Sequence, residues 1–324
     1  MTGVQGLLKP LPGRGAPRLR IDVRQNILYI GFVVLFTVFA VTLGDEGFTS
    51  SNNLLNIIRQ TATISVMAVA VTFVIGAAEI DLSVGAVAGL SSVICAMALD
   101  SYGLVPGILA GVLLGAVVGA INGSLVVGIG IPSFLVTLGM LGIAHGTAQW
   151  ITDSAPQPIL NDSFNNAFGT GDLGPIPSLV VWTAVAVAIG HVLLRRTAYG
   201  RGVLATGGNE EAARFSGVPT RRIKFTVMMA SSIVAAIAGM LYAGRLQSGR
   251  FQWGEGDELS VIAAVILGGT SLFGGRASVI GALLGSLMIG LINNGLTLMG
   301  LEFSQQQIVR GAIIIVAVAL ARRV

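Results

Sequence analysis

The chain has 324 residues, of which only 10% are charged and 53% hydrophobic, whereas an ordinary soluble domain carries about 25% charged residues. With a mean hydropathy of +0.84, a soluble globular protein is excluded. Nineteen basic against fifteen acidic residues leave +4, but a nucleic-acid binder gathers its positive charge on one soluble face, and here the charges flank apolar runs. Membrane topology explains them better.

In chain order, residues 1–24 are rich in Pro, Gly and Arg and predict a disordered cytoplasmic tail, followed by a transmembrane domain over 25–324. A signal peptide over Met1–Ala40 is the rival reading, but its basic region is long and losing the first span would spoil the parity of crossings. Apolar runs follow at Ile27–Leu43, Thr61–Ala78, Leu82–Leu99, Leu104–Gly128, Ile131–Ile151, Ser178–Leu194, Phe225–Gly244 and Ala277–Met299. Most have the roughly 17–25 residues that a spanning helix needs. Leu259–Gly268 and Ile308–Leu320 are shorter and are counted as spans on charge parity alone. The expectation is an all-α membrane protein of about ten transmembrane helices; an eight-span arrangement without the two short runs ranks second.

Orientation follows from Lys and Arg, which are in excess in cytoplasmic loops. None occurs between Gln60 and Leu194, and the polar loop Thr152–Pro177 carries Asp153, Asp162 and Asp172 instead. That loop is expected outside. Ten spans then put Lys9, Arg14, Arg18, Arg20, Arg24, seven basic residues of the 195–224 island, Arg276, Arg322 and Arg323 inside, with both termini cytoplasmic.

Several chemistries are excluded. Neither lysine, Lys9 or Lys224, follows a glycine, so the chain has no G-x-x-x-x-G-K-[ST] phosphate loop and is not expected to hydrolyse ATP by that means. Cys95 is the sole cysteine and can form no intramolecular disulfide. His145 and His191 lack partners at metal-ligand spacing, and no G-x-S-x-G elbow is present.

The remaining signals lie in the spans and the island. Gly111, Gly115, Gly119 and Gly123 recur every fourth residue, as do Gly281 and Gly285; small residues at that spacing let helices approach closely in lipid. Glu79 and Asp81, within 76–85, mark an abrupt break between two apolar runs. Ionisable groups at such a place are costly unless they face a cavity or a partner. Glu79 is read as lining a cavity or gate, and Asp81 either as that or as a cap on the following helix. A weak internal echo relates 119–125 to 290–296, each with Asn in a span, and a second Gly-rich break at 268–276 falls on the cytoplasmic side. Between two spans, 195–224 carries a short polar helix near 210–215, started by Gly208 or Asn209. Glu210 and Glu211 suit its positive end, and Gly217 ends it.

Four stretches, Asn53–Gln60, Glu79–Gly85, Gly208–Gly217 and Ala264–Gly275, resemble in this order the permease subunits of monosaccharide ATP-binding-cassette importers of the ribose and xylose type. The Ile80-Asp81-Leu82-Ser83-Val84-Gly85 segment is the most specific element, and the likeness extends from about residue 50 to the C-terminus. The resemblance implies a second permease subunit, most simply an identical one, an ATPase subunit that holds ATP and Mg, and an extracytoplasmic sugar-binding protein, in the cell membrane. No cofactor belongs to this chain and it is not itself an enzyme. It further implies that Gly208, Asn209, Glu210, Glu211, Ala212, Ala213, Phe215, Ser216 and Gly217 form a coupling helix docking in the ATPase. Small Ala212 and Ala213 would permit the close approach. Neutral sugars need no charged site, so Ser83, Asn122, Asn293 and Asn294 join Glu79 and Asp81 as expected residues of the translocation path or gate. Many members carry Gly-Gly-like residues where this chain has Ala78-Glu79, which leaves the particular sugar open between pentoses and fructose-like sugars. An ion-coupled secondary carrier using Glu79 or Asp81, and a permease for another small solute such as a branched-chain amino acid, are the alternatives.

Overall fold

The structure is a computed structural model describing residues 23–321. Most of the expected tail, and Arg322 and Arg323, lie outside the described residues. Helix begins at Val23, so the last two residues assigned to the tail are helical. The described residues form an all-α bundle in which the strands are two-residue pairs. Helices α1 (Val23–Thr42), α2 (Ser51–Gly76), α3 (Val84–Tyr102), α4 (Leu104–Ser124), which runs on through a π-helical turn at Leu125–Ile129, and α5 (Ser133–Thr152) make the first half. A loop of β1 (Gln157–Pro158), α6 (Asp162–Asn165), a π turn and the hairpin of β2 (Asp172–Leu173) and β3 (Ile176–Pro177) leads to α7 (Ser178–Arg196). Then come α8 (Ala198–Gly208), α9 (Glu210–Phe215), α10 (Thr220–Leu246), β4 (Ser248–Gly249), α11 (Asp257–Leu267), α12 (Val279–Leu298) and α13 (Phe303–Ala321). β4 pairs with β1 and ties the end of α10 to the 153–177 loop.

Among the described residues, seven helices are long and apolar enough to cross a membrane: α2, α3, α4 with its π turn, α5, α7, α10 and α12. The apolar run Thr61–Ala78 underestimates α2, because the helix's opening decade is too polar to register as a span. Ser50 caps it by accepting from the Asn53 amide. Burial then sorts the helices. α2 is buried on every side from Thr61 to Gly76 and is the axis of the bundle, whereas α4, α5 and α7 keep most of their surface exposed and apolar. Leu259–Gly268 does not form a spanning helix by itself. At 11 residues α11 is about 16 Å long, and the chain approaches it as the non-helical stretch 250–256 laid against α3.

The glycine repeat of α4 packs on α10. A Cβ at Gly115 would stand 2.7 Å from Ala236 Cβ, one at Gly119 2.6 Å from the Met229 Cα, and one at Gly123 2.8 Å from the Phe225 ring. Where lipid supplies no hydrophobic drive between helices, such backbone proximity supplies the dispersion contacts instead. A Gly119→Leu substitution is therefore expected to force α4 from α10 and to destabilise the purified protein by about 1–3 kcal/mol. Thermal unfolding in detergent reads this, and an unchanged midpoint would show that the strip is not a packing surface.

Candidate coupling site and helix break

The polar island folds as two short helices rather than one. Thr197 ends α7 and caps α8, its hydroxyl accepting from the Gly200 amide at 3.2 Å. Tyr199 on α8 stacks on Phe73 and shares a 3.0 Å hydrogen bond with Thr226; burial pushes its phenol up and the Thr226 hydroxyl draws it back. Asn209 then caps α9, its side-chain oxygen accepting from the Ala212 amide at 2.9 Å. Glu210 and Glu211 fill the first turn, favoured by the partial positive charge there. Gly217, at φ +85°, closes it in the left-handed conformation that glycine adopts without steric cost.

α9 divides into two faces. Ala213 is 6% exposed and faces this chain's own interior, so it is not placed to meet a partner as Ala212 is. Glu210, Glu211, Ala212, Arg214, Phe215, Ser216 and Gly217 are exposed. Phe215, 79% exposed on a segment of otherwise short or charged side chains, is its one large apolar projection.

The root of this unit is pressed on the bundle. Gly207 meets the Gly76 carbonyl, where α2 ends, and the Gly275 amide, which itself donates to the Gly76 carbonyl at 3.1 Å. A side chain at Gly207 would overlap both. Gly208 packs on Gly275 and Gly274 on Ala78, so the second Gly-rich break, the end of α2 and the island meet at one place.

Immediately beyond Gly76 the helix stops. Ala77, Ala78 and Glu79 donate back to α2 carbonyls, but Ala78 has φ +61°, a left-handed conformation that disfavours side chains. That strain accounts for the glycine-like residues the family resemblance leads one to expect here. The chain then runs without helix to Ser83 before α3 begins. Its amides are met from α5: Ile80 N donates to Ser133 Oγ and Leu82 N to Thr137 Oγ1, each at 3.0 Å.

Asp81 is fully buried. Its Oδ1 accepts from the Ser83 amide at 2.9 Å and hydroxyl at 2.6 Å, and Asn122 Nδ2 donates to Ser83 Oγ at 3.2 Å. This chain of contacts joins the break to α4. The Ser231 hydroxyl of α10 also faces the Asp81 carboxylate, whereas Asn122 Oδ1 finds no hydrogen-bond partner among the described residues. Asn294 lies elsewhere. It exchanges amide hydrogen bonds of 2.8 and 3.0 Å with Asn53 in the first turn of α2, the end of that helix remote from Gly76, and Asn293 is its half-buried neighbour. The expected path residues therefore fall into two groups at opposite ends of α2.

Glu79, at the Gly76 end of α2, has different partners from Asp81. Its carboxylate, with only 8% of the side chain exposed, meets Lys224 Nζ at 2.7 Å, and Lys224 also meets Glu210 of α9 at 2.7 Å. One lysine on α10 thus joins the break to the coupling helix. Glu79, Glu210, Lys224, Arg214 and Arg221, with residues 126–132, line an open cleft of about 530 Å³. Neither Lys224 nor the Ser133 and Thr137 pair was expected as part of the site; the i, i+4 hydroxyls on α5 were the available signal. The pair on Glu79 is nearly buried, so Lys224→Met, which strands a carboxylate, is expected to cost about 3–5 kcal/mol. Adding Glu79→Gln should recover most of that loss in thermal unfolding. A double variant no more stable than Lys224→Met would show that the two are not directly coupled.

Among the described residues, these features make up a bundle of membrane-length apolar helices with a short polar unit seated on its interrupted helix. Residues 53–318 match the family described as branched-chain amino acid transport system / permease component. The chain belongs to that permease family. It is 41% identical over 95% of its length, and 94% of the other's, to the "Probable ABC transporter permease protein YphD" of Escherichia coli strain K12. It is 39% identical to the ribose import permease protein of Bacillus subtilis strain 168, covering 91% of this chain and 92% of that one. With the L-arabinose ABC transporter permease protein of Azospirillum brasilense the identity is 35%, over 96% of this chain and 91% of the other. No solved structure matches the chain significantly.

Proposed function

We propose that this chain is the membrane-spanning permease subunit of an ATP-binding-cassette importer for a neutral monosaccharide of pentose or similar size. Two copies form the passage, an extracytoplasmic binding protein delivers the sugar, and a partner ATPase holding ATP and Mg drives the cycle. The permease domain occupies 25–324 of the inner or plasma membrane with both termini cytoplasmic. It crosses about ten times: α1, α2, α3, α4, α5, α7, α10, the 247–267 segment, α12 and α13. This places the 195–224 coupling segment in the cytoplasm and the 153–177 loop outside.

The observation that carries the reading is the connection of α9 to the break. Outward, α9 offers Phe215 beside Glu210 and Glu211; inward, its lever rests on Gly76 and Gly275, and its Glu210 shares Lys224 with Glu79. A displacement of α9 by a closing ATPase reaches residues 77–83 by steric contact and by charge. A passive packing helix needs no such linkage. Ion-coupled transport is less well supported, since the Glu79 carboxylate is already neutralised by Lys224. The family description names branched-chain amino acids, but two close full-length relatives bear the names of ribose and L-arabinose permeases.

Phe215→Ala is expected to weaken ATPase association by at least about thirtyfold, the effect of removing an aromatic anchor worth some 2 kcal/mol, with insertion unchanged. Co-purification of the ATPase with affinity-tagged permease measures it. Retention equal to wild type would remove Phe215 from the docking surface, and uptake of ribose or L-arabinose without any ATPase would overturn the importer reading.

A further inference from the structure

Between α10 and α11 the chain descends into the bundle without helical structure. Gly249 lies against the Ser92 carbonyl, Gly89 against the Phe251 and Trp253 carbonyls, and Gly254 against Gly85, so the segment follows α3 inward from the tied end of α10. Its depth is fixed from the other side. Gly268, after α11, packs on Gly281 in the first turn of α12, and Asp257, at the start of α11, lies about 16 Å further along, half of a roughly 30 Å hydrocarbon layer. There Asp257 accepts a 2.5 Å hydrogen bond from Tyr242.

The inner side of this segment is well held. Ser92 Oγ accepts from the Arg250 amide at 3.1 Å, Trp253 Nε1 donates to the Ser248 carbonyl at 2.7 Å, and successive turns close at Trp253, Glu255 and Asp257. Its other side carries exposed Gln252 and Glu255, with half-exposed Phe251 and Glu258; His145 of α5 meets Phe251 edge-on at 5.3 Å between ring centres. Irregular backbone and an exposed carboxylate at that depth are not tolerated against lipid, only against protein or water.

We infer that Gln252, Glu255 and Glu258 wall a water-filled passage by which a polyhydroxylated neutral solute enters the bundle. This rests on the importer reading for the solute. Carboxylate and amide oxygens accept from sugar hydroxyls, and the Phe251 ring offers an apolar surface to sugar C–H groups, the mixture that small-ligand sites use. The wall borders the first turn of α3, where Gly254 and Glu258 Oε2 lie against Gly85, and none of its three residues lines the Glu79 cleft.

Thiol accessibility tests it. Cys95 is fully buried, so Gln252→Cys and Glu255→Cys report alone in the assembled complex in native membranes. A membrane-impermeant methanethiosulfonate reagent, applied to whole cells and to inverted vesicles, is expected to modify both from at least one side. The rate should exceed that at Leu109→Cys and Leu113→Cys, exposed apolar positions on α4, by at least about tenfold, because thiolate does not form in hydrocarbon. Rates no greater than at the two leucines from either side, with Ser163→Cys in the exposed loop reacting normally, would overturn the inference and assign the face to lipid or a second copy. The readout needs no transport, so failure of the importer reading leaves it intact.

Discussion

Backbone amides inside a bilayer must find partners within the protein, and this constraint governs the two places where the bundle abandons helix. At residues 77–83 the partners are Ser133 and Thr137; at 250–256 they are Ser92 and a succession of turns. In both cases the partner helix, α5 or α3, is tied to the irregular segment by side-chain hydroxyls rather than by apolar contact. Hydroxyl hydrogen bonds have modest net strength and are readily remade one turn along. The interrupted stretches are therefore held in place without being welded, as moving parts of a transport cycle require.

Charge and glycine complete the linkage at the island end. The Gly207, Gly76 and Gly275 contact is backbone on backbone, with no flexible side chain to absorb a displacement. It is therefore a stiff connection between α8 and the end of α2. Lys224 is different. With two carboxylates 2.7 Å away, it can yield one partner while keeping the other, and because Glu210 is about half exposed while Glu79 is nearly buried, the Glu210 side is the less costly to release. If α9 moves as proposed, the Glu210 contact is the one expected to open first, while Glu79 keeps its countercharge.

Much of this was legible in the sequence because membrane proteins write their constraints in one dimension. The glycine strip of α4, the start of α9 at Asn209 and its end at Gly217, and the interruption after Gly76 follow from spacing and residue type. What escaped required knowledge of neighbours. Lys224 sits twelve or more residues from either partner by sequence and reads as one more cytoplasmic cation. Asn293 holds the place of Asn122 in the internal echo, yet its neighbour Asn294 pairs with Asn53 at the far end of α2, because an internal likeness specifies a helix and not the surface it will face. The burial of Ala213 escaped for a simpler reason. A six-residue helix has no periodicity long enough to separate its buried face from its exposed one.

The distribution of charge bears on what such a bundle can carry. Buried acids are engaged locally: Asp81 by Ser83, Glu79 by Lys224 and Asp257 by Tyr242. A zwitterionic solute passing these points would find few opposite charges free to replace its hydration, and would pay the desolvation cost of both its ends. A sugar loses only hydroxyl hydrogen bonds, which amides, hydroxyls and carboxylates can replace individually. Glu255 and Glu258 stay open on the other interrupted segment, and under the proposed importer reading their oxygens serve as acceptors for hydroxyls, a role that a solute bearing its own carboxylate would make repulsive.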